Sequence, residues 1–396
     1  MTGTQLSIKT GFVTFAPAPE VVIDAVRDVR VTQKAGQRSG FQMTLALEKG
    51  GEIEQELLPG GFFSPGKRVI LSIITNGVRE VLMDGHIARY DVAQSNEPGQ
   101  ATLSLTGTDA TQLLDQIDLS GVPLAGMPPI AQVALMLAPL AVVGVVPVVV
   151  PTPLIAVDNP IEKWKSVKGT FYAHIQWLAG QVGYQFSLEP GVTEGQQFAY
   201  FGPDIGTLVA LGRTAAGDVL PPLTVNMDAA SNVESLSVSF DGLSKPLVYG
   251  FYQNPDVPSP VIPIPFPDVV FNPPLGPGFI PYAKNLPLNK PSSGSGGGEE
   301  EDDGMTSSDL AALIMRGMSR AAKGANVITG SGSLDIARYG QILRPRKLVN
   351  VRGAGPHSDG TYYIQSVSTT IQRGSFKQSF TLSRNAHGSF SEKVAV

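Results

Sequence analysis

The chain has no cysteine among its 396 residues. Disulfide staples, thiolate nucleophiles and cysteine-based metal sites are therefore excluded, and the fold does not depend on an oxidising compartment. Charge is scarce as well. Asp, Glu, Lys and Arg make up 16% of the residues, against about a quarter in a typical soluble protein. Two readings of so neutral a surface stay open: it is covered by partner subunits, or it belongs to a Gly/Pro-rich β protein with neutral polar faces. The net charge of −5 carries no basic excess, so no nucleic-acid-specific site is expected. Met1-Thr2-Gly3-Thr4 opens without a basic stretch or an apolar run, and no signal peptide is expected.

Catalytic signatures are missing too. There is no Gly-x-Ser-x-Gly elbow, no His-Glu-x-x-His and no phosphate-binding Gly-x-x-x-x-Gly-Lys-Ser/Thr. Gly330-Ser331-Gly332 falls between strands with no helix behind it. His86, His174, His357 and His387 are scattered, and alternation places Glu52 and Glu54 on an exposed strand face. The acidic run Glu299 to Asp303 reads as solvated carboxylates in a linker. The expectation is a non-enzyme with no catalytic, cofactor-binding or metal-ligating residue and no cofactor.

What is present is alternation. Phe41, Met43, Leu45 and Leu47 alternate with polar or small residues, as do Val69, Leu71 and Ile73, then Leu103 and Leu105. Period two with β-branched residues predicts half-buried strands, so 1–117 reads as a β domain. A second unit, 118–215, holds the longest apolar run. No charged residue occurs from Leu119 to Val157. That length could span a membrane, but Pro139, Pro147 and Pro151 interrupt it and neither flank is basic. The reading is a packed helix over Ile130–Leu137 and a buried or interfacial extended segment over Val142–Val150, with Val146 and Val149 as candidate contact residues. A helix follows within 166–184, capped by Thr170 and ended by Gly183, with Phe171, Ile175, Leu178, Ala179 and Val182 on one face.

Strands return over 216–254. Residues 255–323 then form a Pro-rich, Gly/Ser-rich and acidic insert, read as a linker, followed by a helix. Thr306 and Asp309 would cap that helix and Gly324 would end it. Segment 324–396 completes the second β domain together with 216–254. Its end is the clearest stretch in the chain. Tyr362, Ile364 and Ser366 alternate with Tyr363, Gln365 and Val367; a turn follows at Gln372-Arg373-Gly374; Phe376, Gln378, Phe380 and Leu382 alternate again. This is a β-hairpin.

An internal repeat is visible. Phe63-Ser64-Pro65-Gly66-Lys67-Arg68-Val69-Ile70-Leu71 can be set against Leu343-Arg344-Pro345-Arg346-Lys347-Leu348-Val349-Asn350-Val351, each a Pro turn and a basic residue before a strand. Asp84-Gly85 would then match Asp359-Gly360, and Thr102 to Thr106 would match Ser379 to Ser383.

The hairpin residues Gly360, Tyr362, Tyr363, Ile364 and Val367, then Phe376, Phe380, Leu382, Arg384 and Asn385, resemble the last hairpin of a family of tail hub proteins: late control protein D, the T-even phage baseplate hub and the N-terminal region of VgrG. The helix segment FYAHIQWLAGQVGYQF and the turn Phe201-Gly202-Pro203 resemble that family as well. The resemblance implies a mainly β (β+α) fold, with two tube-type β-barrel-like domains and inserted α/β domains. It implies a structural central hub of a contractile tail or contractile injection system baseplate. That hub is a homotrimer that adapts a six-fold tail tube to a three-fold spike. The implied partners are the tail tube protein, a VgrG-like spike on a separate chain and other baseplate components. Assembly would take place in the bacterial cytoplasm, into a phage virion tail or an injection-system particle. Two other readings remain: a tail-tip cell-wall-degrading enzyme, and a membrane-associated protein anchored by the 119–157 run.

Overall fold

The computed structural model describes residues 5–390 apart from 13, 76, 98, 125–126, 152–165, 192, 205–218, 255–256, 271 and 289–309. The Ser/Gly-rich and acidic parts of the insert, the Thr306/Asp309 cap and the end of the apolar run lie outside the described residues.

The alternating segments form the strands that their period predicts. In chain order the first unit has β1 (Gln5–Gly11), β2 (Phe15–Pro17), α1 (Glu20–Ala25), β3 (Val26–Lys34), β4 (Gly40–Ala46), β5 (Arg68–Thr75), β6 (Val78–Ala93), β7 (Thr102–Asp109) and α2 (Thr111–Asp115). On β4, Phe41, Met43 and Leu45 are buried while Gln42 stays exposed. Glu52 and Glu54 are not on a strand. They sit in a helical turn over Ile53–Leu57, where the Glu54 carboxylate accepts a hydrogen bond from Gly50 N at 2.6 Å. That local bond offers the backbone an alternative to a ladder.

The charge-free run folds as α3 (Pro129–Leu137), a 3₁₀ turn over Ala138–Val143 and β8 (Val145–Val149). Pro129 opens the helix, where its missing N–H costs nothing. Gly144, at φ +80°, turns the chain into the strand. No helix among the described residues is long and apolar enough to cross a membrane. Next come α4 (Phe171–Val182), β9 (Gln185–Pro190) and β10 (Gln197–Gly202). The Thr170 hydroxyl accepts from Ala173 N and Gly183 closes α4 in the left-handed region, the cap and stop expected. β8, β10 and β9 form a three-stranded sheet over which α3 and α4 bury Val133, Met136, Ile175 and Leu178.

The remaining elements are β11 (Val219–Thr224), β12 (Val233–Phe240), β13 (Pro246–Asn254), β14 (Val257–Phe266), β15 (Lys284–Pro287), α5 (Leu310–Gly324), β16 (Ile328–Asp335), α6 (Ile336–Tyr339), β17 (Leu348–Arg352), β18 (Gly360–Gln372) and β19 (Ser375–Arg384). The linker reading fails in part here. The Pro-rich segment supplies β14 and β15, which flank β13, and Phe266 and Leu313 pack beneath them. β14 is an edge strand, where Pro263 and Pro265 can lack N–H groups without breaking a second ladder. Gly330 to Gly332 lie inside β16. Everything else joins one 13-stranded sheet, ordered β12-β16-β19-β18-β3-β4-β7-β6-β5-β1-β2, with β17 on β18 and β11 on β17. One continuous core runs beneath both ends of it, from Ile8 to Leu382.

Candidate assembly interface

The large sheet contains one strand pattern twice. The first copy runs β3-β4-β7-β6-β5-β1 and the second runs β12-β16-β19-β18-β17-β11. All successive pairs are antiparallel in both, except that β11 lies parallel to β17 where β1 lies antiparallel to β5. Two of the irregularities coincide as well. β3 bulges between Val26 and Asp28, and β12 between Val233 and Ser235. β6 bulges between Ile87 and Arg89, and β18 between Ile364 and Ser366. Bulges fix register, so the ladders give residue-by-residue equivalence: Arg68 with Leu348, Ile87 with Ile364, Gly107 with Leu382, Phe41 with Gly330.

The first repeat segment therefore aligns as its sequence suggests. Pro65-Gly66-Lys67 and Pro345-Arg346-Lys347 even share backbone hydrogen bonds: Gly66 N to Ile87 O and Ile87 N to Lys67 O, then Arg346 N to Ile364 O and Ile364 N to Lys347 O. Two details of the sequence alignment are wrong. Asp84-Gly85 is mid-strand and matches Thr361-Tyr362, not Asp359-Gly360. Thr102 matches Lys377, two residues before Ser379.

The copies differ in what covers them. The second half of β18 pairs with β3, from Ser366 opposite Lys34 to Gln372 opposite Asp28, and this joins the copies. The equivalent half of β6, from Arg89 to Ala93, pairs with β7 alone. The equivalent of β3 is β12, which pairs with β16 alone. Among the described residues, the places equivalent to the two sides of this joint, the outer half of β6 and the free side of β12, are thus left unpaired. Large apolar side chains sit on both: Tyr90 is 42% exposed, Val92 40% and Phe240 49%. Their counterparts in the joined pair, Val367, Thr369 and Gln33, are 1%, 1% and 7% exposed. Burying such a side chain contributes about 1.5–3 kcal/mol, and bare ladders with apolar residues are what soluble proteins avoid.

Cations from both copies hold the inserted unit: Lys9 and Arg79 of the first pair with Glu194, at 2.5 and 2.7 Å. The Arg68 guanidinium makes a buried bidentate pair with Asp84, both contacts 2.6 Å, and donates to Val143 O at 2.7 Å and Gly195 O at 2.9 Å. Burial raises the Asp84 carboxyl pKa against the pull of that guanidinium, and pushes His86 beside it down to about 4. In the second copy Arg346 stacks 3.6 Å from the Tyr200 ring centroid and pairs with Glu189. The Arg384-Asn385 end of the hairpin has a physical explanation that its composition does not reveal. Arg384, fully buried, donates to Asp359 O at 3.0 Å, and Asn385 donates to Asn272 O and Pro273 O while accepting from Leu275 N. Together they clamp the Pro-rich segment against the sheet.

Val146 is exposed, whereas Val149 is partly buried against the core of the inserted unit. Two of the four histidines come together: His357 and His387 have ring centroids 5.3 Å apart. His174 is buried; its Nδ1 accepts from Lys168 N and its Nε2 faces Gln132 Oε1 at 3.0 Å. No group of three or more metal-ligating side chains occurs among the described residues. A cleft of about 530 Å³ between β3, α4, α5 and β18 is lined by amides and lysines, including Gln176, Gln185, Asn272, Lys34 and Lys323. The free sheet edges are features that sequence reasoning missed, because exposure depends on which strand is absent.

No family model matches the chain, and no curated protein sequence matches it. Solved structures do. The chain is similar to the tail protein from Neisseria meningitidis MC58, at 15% identity over 97% of both chains, TM-score 0.59. It is similar to the 43 kDa tail protein of prophage MuSo2 from Shewanella oneidensis, at 12% identity over 96% of this chain and 98% of that one, TM-score 0.58. A component of the E. coli type VI secretion system, described as structurally similar to the T4 bacteriophage tail proteins gp27 and gp5, matches over 99% of this chain and 79% of its own, at 9% identity and TM-score 0.52. The class is therefore a mainly β, baseplate hub-like fold. Within that class, the likeness spans phage tail proteins and type VI secretion proteins, as the hairpin resemblance leads one to expect.

Proposed function

We propose that this protein is a structural hub of a contractile tail or injection-system baseplate. It acts as a homotrimer that adapts a six-fold tube to a three-fold spike. The carrying observation is the duplicated sheet. Three chains with two equivalent units each present six similar units around one axis while keeping only three-fold true symmetry. One face of such a ring can meet six identical tube subunits; the other, built from the inserted units, repeats only three times. The tail tube protein, a separate spike and other baseplate components are the partners, and assembly takes place in the bacterial cytoplasm. The work is mechanical, with no catalytic step. The units follow the boundaries 1–117, 118–215, 216–254 with 324–396, and 255–323, except that β13 pairs with strands of the last segment and goes with it.

The test is the mass of the purified protein in solution, alone and with its tube and spike proteins. A trimer of 41.8 kDa chains that captures both is expected. A monomer that binds neither overturns the reading. Exposed Val146 on β8 is a candidate contact within the inserted unit; Val146→Asp is expected to block baseplate assembly while leaving the monomer folded.

A further inference from the structure

We propose that the outer half of β6 in one protomer pairs antiparallel with β12 of the next, in the register that β18 and β3 already hold within one chain. This rests on the hub reading and specifies how its ring closes. The equivalences come from backbone ladders and their bulges alone. Ser366 opposite Lys34 becomes Arg89 opposite Asp241; Val367 opposite Gln33 becomes Tyr90 opposite Phe240; Thr369 opposite Val31 becomes Val92 opposite Val238.

No side chain entered that mapping, yet the chemistry agrees. A cation meets an anion, an aromatic ring meets an aromatic ring, and valine meets valine. Cross-strand pairs of these kinds are the units of sheet stabilisation. The three large apolar side chains left exposed on the edges, Tyr90, Val92 and Phe240, are those that the pairing would cover. A slip of two residues loses the match: Arg89 would face Ser239 in one direction or Leu243 in the other. A slip of one turns every apolar residue to the opposite face. Pairing of this edge with a second copy also needs no new geometry, because the intrachain joint already has it.

The chain lacks cysteine, so introduced thiols would be the only ones. Asp91 and Ser239 are placed opposite each other on the polar face. The variant Asp91→Cys with Ser239→Cys, oxidised as the assembled protein, is expected to give a covalent dimer and then a covalent trimer on a denaturing gel. Directly opposed side chains have Cβ atoms about 4.5–5.5 Å apart and diagonal neighbours about 7–8 Å, so the control Asp91→Cys with Ser237→Cys should stay monomeric. As a second reading, Arg89→Asp and Asp241→Arg should each weaken the trimer by about two- to five-fold, and the two together should restore it. Equal cross-linking in the control, or a wild-type trimer with neither cross-linking nor charge-swap rescue, overturns the pairing and leaves the hub reading standing. A wild-type chain that is monomeric overturns the hub reading itself.

Discussion

In the first copy of the sheet, Phe41 on β4 faces Gly107 on β7; in the second copy the same two places hold Gly330 on β16 and Leu382 on β19. The large residue has changed strands. At the next pair on the same face, two large residues, Met43 and Leu105, correspond to Gly332 and a single larger one, Phe380. Which strand carries the bulk of a facing pair is not kept between the copies, and cores tolerate such redistribution when the surroundings repack. Copies that keep their backbone in this way lose their resemblance residue by residue. The ends of β7 and β19 diverge further. Asp109 accepts hydrogen bonds from Ser39 N and Thr111 N, while Arg384 at the same place reaches carbonyl oxygens of Asp359 and Leu275. One buried group tightens a local turn. The other holds a distant segment.

That contrast can be broken hardest at Arg384. Arg384→Ala leaves buried carbonyls without donors and opens a cavity under Tyr362. It should cost about 3–5 kcal/mol, read as a lowered midpoint in denaturant unfolding.

The swapped pair can be tested from both sides. A Cβ added at Gly107 would fall 2.3 Å from the Phe41 ring and 2.4 Å from His86 O, whereas one at Gly330 would lie 3.3 Å from Leu382 Cβ. Gly107→Ala should therefore destabilise by about 2–4 kcal/mol, and Gly330→Ala by under about 1 kcal/mol, because an alanine there also restricts the unfolded chain.

Acid should separate the N-terminal part from the second copy. His86 in the first copy and His174 in the inserted unit are both pushed down to about 4, first by burial and then by the charges of Arg68 and Lys168. At the place of His86 the second copy has Tyr363, whose ionisation burial moves further from neutral pH. A histidine with a folded pKa below its unfolded value of 6.5 takes up its proton first in the unfolded chain. Stability is complete above that value and is lost as pH falls toward about 4. His174→Gln should remove about 1–3 kcal/mol of that loss, measured as the change in unfolding free energy between neutral pH and about pH 4.5.

A small effect, slightly above that of Gly330→Ala, is expected at Gly66. Its φ of +87° is matched by +64° at Arg346, which tolerates the left-handed region while its side chain is stacked on Tyr200. A Cβ at Gly66 meets nothing, so Gly66→Ala carries only the backbone term, about 1 kcal/mol in thermal unfolding.

The hairpin β18–β19, the capped helix α4 and the first repeat segment were legible because period and turn chemistry are local. The mismatch at Thr102 has the same origin: a strand pattern of period two is unchanged by a slip of two residues, and only the ladder fixes the register. The strand Val257–Phe266 was hidden because proline normally argues against a strand, and only an edge position excuses it. Arg384-Asn385 could be quoted as a motif but not explained, since most of the backbone groups it serves, at Asn272, Pro273 and Leu275, lie 109 to 113 residues upstream. The candidate interface was not legible at all. Tyr90, Val92 and Phe240 read like any other strand residues until the absent neighbour is noticed.

The joint between β18 and β3 also acts as a clock. Thr32 and Ser368, which meet across it, are separated by 336 positions. During synthesis, β3 emerges early with one side bare and stays so until β18 leaves the ribosome. Contacts of such separation form late, and a bare edge is sticky while it waits. The bare edge of the first copy is then open to mispairing for nearly the whole time of translation. In the proposed ring, a subunit offers both matched edges to its neighbours only after its second copy, which carries β12, has folded.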